Sequence, residues 1–129
     1  MSNKLLLDTC ALVWLATGNK LLSREVLQAI YFAPVVYVSP ISAWEISLKY
    51  ARGELYLPLP PREWFDSAIE KHALEILPLS VDLLVKSNEL PWHHRDPADR
   101  IIIAGAMLNG LTIVTRDQLF ENYDIPLLF

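Results

Sequence analysis

Apolar and polar positions alternate along this chain with two different periods. Short uninterrupted apolar runs, "KLLL" at 4–7, "VVYV" at 35–38, "LEIL" at 74–77 and "LTIVT" at 111–115, read as buried strands, and "IPLLF" at the end reads as a last edge strand. Between them apolar residues recur at helical spacing. Asp8 interrupts the first run, and a short helix is expected from Thr9 to Ala16. "SREVLQAIYFA" places Val26, Leu27, Ile30 and Tyr31 on one face behind a Ser23 cap. "SPISAWEISLKYARG" is the clearest helix: Ser39 is its N-cap, Pro40 lies in its first turn, and Gly53 stands just past its end. Its apolar stripe is read as Ile41, Trp44, Leu48 and Ala51, with Glu45 at the margin. A proline-punctuated loop at 54–60 leads into a helix over "PREWFDSAIEKHA". A further helix at 80–90 is ended by Pro91. "DPADRIIIAGAMLNG" carries Asp96 as N-cap, Pro97 at the first helical position and Gly110 as the stop. A helical turn is expected at 118–122.

Strands alternating with helices predict an α/β fold, with a central mostly parallel sheet of four to five strands flanked by helices. The strands are continuous apolar runs, as expected when helices cover both faces of a sheet. No repeat, low-complexity tract or linker divides the chain, so one domain is expected over 1–129. At 53% apolar and 20% charged residues the composition is globular. No apolar run approaches the roughly 18 residues that span a bilayer, so no membrane role is expected. "MSNKLLLDTCALVWLA" has a lysine and an apolar stretch, but Asp8 breaks it and a folded periodicity continues, which argues against a signal peptide. Cys10 is the one cysteine, so no internal disulfide can form, and a cytoplasmic setting fits. Cys10 itself is expected to be a small buried core residue. The net charge of −4 argues against a generic nucleic-acid coat. It leaves room for an enzyme with a carboxylate cluster beside a local basic patch.

Open parallel sheets bind ligands outside the carboxyl ends of their strands. Asp8 follows the strand at 4–7 directly, and Asp117 follows the strand at 111–115 in "IVTRDQ". Glu45 comes from the helix after the strand at 35–38, and Asp99 from the first turn of the helix at 97–109. Each acid has an ordinary explanation taken singly. Asp8 and Asp117 could cap the helical segments behind them, Glu45 could pair with Lys49 four residues on, and Asp99 could favour its helix dipole. Helix capping does not explain their convergence on one sheet edge. Like charges held close repel unless neutralised or bound to a cation. Hard oxygen donors suit Mg²⁺ or Mn²⁺, and carboxylate-held magnesium cuts phosphodiesters by activating water and offsetting charge on the phosphoryl oxygens.

The blocks "LLLDTCALVWL", "SPISAWEISLKYARGEL" and "WHHRDPADRIIIAGAMLNGLTIVTRDQLF", in this order from Leu5 to Phe120, resemble a PIN-domain ribonuclease of the VapC toxin type. The resemblance implies that Asp8, Glu45, Asp99 and Asp117 are the family's acidic positions, binding Mg²⁺ or Mn²⁺ where RNA is cut. Asp96 recurs in the "DPxDR" form of the family and is kept as a cap or outer residue. Thr9 and Thr115, beside the acids, are placed to bond metal-bound water or orient a carboxylate. The resemblance also implies a homodimer and a cognate antitoxin whose peptide blocks the site. Basic residues must then hold RNA, and Lys49, Arg52, His94, Arg95, Arg100 and Arg116 are the candidates, with His93 beside them. For Arg100 the alternative is pairing with Asp96 or Asp99 on its own helix. For the two histidines the alternative is a solvated loop, since adjacent histidines without a second cluster signal a metal weakly. Trp92 is a candidate for stacking on bases, while Trp14 is expected to pack in the core.

Two other classes stand beside the nuclease. A phosphatase of the haloacid-dehalogenase type would use Asp8 as nucleophile, but it wants an aspartate two residues on, where this chain has Cys10. A non-catalytic binding module would keep the acids as helix caps only.

Overall fold

The computed structural model describes residues 3–129; Met1 and Ser2, part of the N-terminal stretch read above, lie outside the described residues. The strands are β1 (Leu5–Leu7), β2 (Val36–Val38), β3 (Glu75–Ile76), β4 (Thr112–Val114) and β5 (Leu127–Leu128). Around them lie α1 (Thr9–Thr17), α2 (Arg24–Phe32), α3 (Pro40–Ala51), α4 (Pro61–Lys71), α5 (Val81–Glu89), α6 (Pro97–Asn109) and a 3₁₀ turn at Gln118–Asn122. The sheet runs in the order β3-β2-β1-β4-β5, and every pairing is parallel.

β1 is paired on both sides, and its three leucines are all buried. Successive side chains of a strand point to opposite faces. Leu5 and Leu7 accordingly join a core with Val36, Val38 and Val114, under Leu12 and Leu15 of α1, Val26 and Ile30 of α2, Ile46 of α3 and Trp64 and Phe65 of α4. Leu6 points the other way and meets Ile113, Leu83 of α5, Ile102 and Ile103 of α6, and Phe120. Each such fully buried side chain contributes roughly 1.5–3 kcal/mol relative to exposure. β3 is the exception to the continuous-run pattern: as an edge strand it leaves both Glu75 and Ile76 exposed. Gly105 lets α6 pack tightly against Leu77 and Leu83. A Cβ built there would stand 3.0 Å from a Leu77 methyl and 3.4 Å from one of Leu83.

The helix punctuation follows the sequence. Ser23, Ser39 and Asp96 each accept a backbone N–H as N-caps, and Gly110 closes α6 with φ 63°. The apolar stripe of α3 needs correction. Trp44 is 57% exposed and Ala51 is exposed, while the helix buries Ser42 and Ile46 instead. The small Ser42 side chain faces α1 and bonds Thr9, which lets the two helices meet closely and turns the next residue on that row, Glu45, toward α1. Tyr31 is likewise exposed rather than packed in α2.

From β1 the chain builds outward through β2 and β3, then crosses back to place β4 on the other side of β1. The strand order therefore reverses between β1 and β4. That reversal is where a parallel sheet opens a crevice at its carboxyl edge.

Candidate active site

Asp8 leaves the end of β1 into this crevice. Its Oδ1 accepts the Ala11 N–H at 2.8 Å, capping α1, and its Oδ2 accepts the Thr115 hydroxyl at 2.6 Å. Burial raises its pKa to about 6; the bonds from Thr115 and Ala11 hold it down, while Asp117 and Glu45 push it further up. Thr115, one residue past β4, also accepts the Asp117 N–H at 3.0 Å. One hydroxyl therefore ties the two strand ends together.

Glu45 accepts a short hydrogen bond from the Thr9 hydroxyl, rather than pairing with Lys49. Thr9 has a single hydrogen, so the 2.9 Å contact with Ser42 runs from Ser42 Oγ–H to Thr9 Oγ1. A relay from α3 through α1 thus returns to α3 and sets the carboxylate. The Ser42 hydroxyl was not picked out in the sequence; its signal is a serine one helical turn before Glu45.

Asp99 stands in the first turn of α6, behind Asp96, whose Oδ1 accepts the Ala98 and Asp99 N–H groups at 2.9 and 3.3 Å. Burial raises the Asp99 pKa to about 8, and the negative charges of Asp96, Glu45, Asp8 and Asp117 add to the rise. Asp117 caps the 3₁₀ turn through the Leu119 N–H at 2.9 Å. His94 Nε2 lies 2.8 Å from Asp117 Oδ2 and 3.1 Å from Asp99 Oδ2.

Asp8, Glu45, Asp96, Asp99 and Asp117 line one cleft of about 380 Å³, with Thr9, Cys10, Trp14, Lys49 and Arg116. Local capping and convergence are thus both true of Asp8 and Asp117. Arg52 and Arg95 are exposed but do not line this cleft. Cys10 is exposed on its wall, not a core residue, and partial desolvation within the cleft, with the Asp8 charge beside it, raises its thiol pKa. Trp14 is half-buried and meets Phe129 edge-on at 6.0 Å.

Two of the expected RNA contacts need correction, because both are inside. His94 is 5% exposed and turned onto the acids, not solvated in a loop. Arg100 is 1% exposed and pairs with neither Asp96 nor Asp99. Its guanidinium donates to the carbonyls of Leu90, Pro91 and His94 at 2.8, 3.0 and 2.9 Å, with Trp92 stacked 3.5 Å above it. Carbonyl dipoles and a ring face offset the burial of this cation at its two terminal nitrogens, while Nε has no hydrogen-bond partner among the described residues. Tyr123 completes this nest, donating its hydroxyl to Pro91 O at 2.6 Å, and nothing in the sequence announced it.

A parallel α/β sheet with carboxylates gathered at its strand-order reversal defines a class of folds built to bind at the carboxyl edge. Within that class, the chain belongs to the PIN domain family, whose model matches residues 5–126. It is 28% identical over 123 residues to ribonuclease VapC22 of Mycobacterium tuberculosis, covering 94% of this chain and 92% of the relative. Among solved structures, VapBC2 from Rickettsia felis bound to a promoter DNA fragment superposes with a TM-score of 0.73 at 17% identity, covering 97% of each chain. A toxin–antitoxin complex from Klebsiella pneumoniae superposes with a TM-score of 0.66 at 22% identity, covering 96% of this chain and 95% of that one.

Proposed function

We propose that this PIN-domain chain is a metal-dependent endoribonuclease that hydrolyses RNA phosphodiesters, and that it is the toxin of a toxin–antitoxin pair. The observation that carries the reading is the convergence of Asp8, Glu45, Asp99 and Asp117 on one cleft at the β1/β4 reversal. The donor set fits a hard divalent cation. All are carboxylates, and the upward pKa shifts of Asp8 and Asp99 mark negative charge held in too little water. Asp8, Glu45, Asp99 and Asp117 would hold the ion, Mg²⁺ or Mn²⁺. It supplies Lewis acidity, acidifying water and offsetting charge on the phosphoryl oxygens.

The chain's own residues do the rest. Thr115 orients Asp8 and Thr9 orients Glu45, each through a hydroxyl that can donate only once. Lys49 and Arg116 line the cleft as the cations placed to meet RNA phosphates, and Arg52 and Arg95 extend the basic surface. Trp92 keeps 62% of its surface exposed over Arg100, a platform for a base.

Partner proteins are supported by the similar toxin–antitoxin complexes and by apolar side chains left in water. Trp44 and Ile76 border a groove between α3 and α4, and Val81, Leu84 and Val85 stand exposed on α5. We assign these surfaces to a cognate antitoxin and to a second copy of the chain. No helix among the described residues is long and apolar enough to cross a membrane, and a cytoplasmic setting is proposed.

The test is incubation with total cellular RNA and Mg²⁺ or Mn²⁺, followed by mapping of the cut ends. Discrete cleavage that stops with EDTA is expected. Cleavage indifferent to EDTA, or unchanged in Asp8→Asn, would overturn the reading.

A further inference from the structure

His94 sits between two carboxylates that the nuclease reading gives to a cation, yet its ring faces them with a hydrogen. Nδ1 accepts the Asp96 backbone N–H at 3.2 Å. A ring nitrogen that accepts an N–H carries no hydrogen, so the partners assign the tautomer with its hydrogen on Nε2. That hydrogen is shared with Asp117 Oδ2 at 2.8 Å, and Asp99 Oδ2 stands 3.1 Å from the same nitrogen as a charge contact. Ligand atoms of His94, Asp99 and Asp117 all fall within 4.8 Å of one another, a spacing that would also suit a shared ion. An Nε2 bearing hydrogen has no lone pair to give, so in this tautomer the ring faces the acids as a donor and not as a ligand.

The ring is held from both sides. The His94 N–H donates to Tyr123 Oη at 2.9 Å, its carbonyl accepts from Arg100 at 2.9 Å, and its ring meets Phe120 edge-on at 5.5 Å. Asp96 contributes through its backbone N–H, fixed because its side chain caps α6.

We propose that His94 is a positioning residue: its Nε2–H holds Asp117 beside Asp99, and Arg100, Tyr123 and the Asp96 N–H fix the ring that does so. Asp99 comes from α6 and Asp117 from the loop after β4, so one imidazole stands against carboxylates from two separate elements. A carboxylate oxygen that accepts this hydrogen keeps a second lone pair for a cation. The proposal rests on the reading that Asp99 and Asp117 hold a divalent ion, and it gives Asp96 and Arg100 of "DPADR" a shared task.

Two measurements test it. A long-range ¹H–¹⁵N spectrum of the ¹⁵N-labelled metal-free protein should show His94 with its hydrogen on Nε2; the Nδ1–H pattern would overturn the proposal. Mn²⁺ titration followed by electron paramagnetic resonance should show His94→Ala weakened about 10–100-fold, the usual effect of removing a group that orients a metal ligand. His94→Gln, whose amide N–H can replace Nε2–H, should recover most of that affinity. Equal affinity of His94→Ala and wild type, or no recovery in His94→Gln, would overturn it. Wild type that binds no Mn²⁺ would overturn the metal reading itself. The tautomer spectrum needs no metal and judges the placement of the ring separately.

Discussion

Asp99→Asn should make the metal-free protein more stable while it removes metal binding. The folded chain holds the Asp99 proton to about pH 8, against 3.8 for the free side chain. A raised carboxylate pKa means that the folded state binds the proton more tightly than the unfolded state between these values. Stability is therefore full below about pH 4 and falls as pH rises toward 8. At pH 7 about three units separate the pH from the unfolded value, a loss on the order of 4 kcal/mol at 1.36 kcal/mol per unit. The side chain is 19% exposed, so solvent screening removes little of this. Asparagine keeps the shape but carries no charge, so it escapes the loss. Melting followed by circular dichroism in EDTA should show wild type losing several degrees from pH 5 to pH 8, with Asp99→Asn flatter and higher at pH 8. Mn²⁺ should restore wild type at pH 8 and leave Asp99→Asn unmoved. A variant less stable than wild type in EDTA at pH 8, or a wild type whose melting ignores pH over this range, would refute the crowding of charge.

Further outcomes follow from the same contacts. Thr115→Val removes the donor to Asp8 Oδ2 and the acceptor for the Asp117 N–H; it should cost about 1–2 kcal/mol in urea unfolding and weaken Mn²⁺ binding roughly tenfold. Arg100→Ala leaves the buried carbonyls of Leu90, Pro91 and His94 without their donor, and should cost about 2–4 kcal/mol by the same unfolding measurement. Lys49→Ala with Arg116→Ala should raise the KM for RNA and flatten its dependence on salt with little change in melting, since both are exposed at the cleft. Gly105→Leu should destabilise by about 1–3 kcal/mol, because the space beside α6 is filled by Leu77 and Leu83.

The strands were readable because a sheet covered on both faces demands continuous apolar runs, and β1, β2 and β4 supply them. The helix ends were readable because Ser39, Asp96, Pro97 and Gly110 act through local backbone chemistry. The acids could be placed because strand ends deliver Asp8 and Asp117 to one edge, whatever the order of the sheet. What stayed hidden depends on contacts between elements. The face that α3 buries was misread because a small polar residue, Ser42, suits close approach to α1 better than Trp44 does. Arg100 looked like a surface cation among acids, but its partners are carbonyls of a loop six to ten residues earlier. His94 looked like one of a solvated pair, and only the packing of Tyr123 and Phe120 turns it inward. Local rules hold where the backbone decides, and fail where a buried polar group finds its partner at a distance.

Asp8, Glu45, Asp99 and Asp117 line one cleft, and a cation site there requires all four to face the same ion. Anomalous diffraction from crystals soaked in Mn²⁺ tests it most directly. A peak is expected in the cleft between these carboxylates, with His94 Nε2 outside bonding distance of the ion, and no such peak in Asp8→Asn. A cleft without density at saturating Mn²⁺, or a peak held by residues elsewhere, would contradict it.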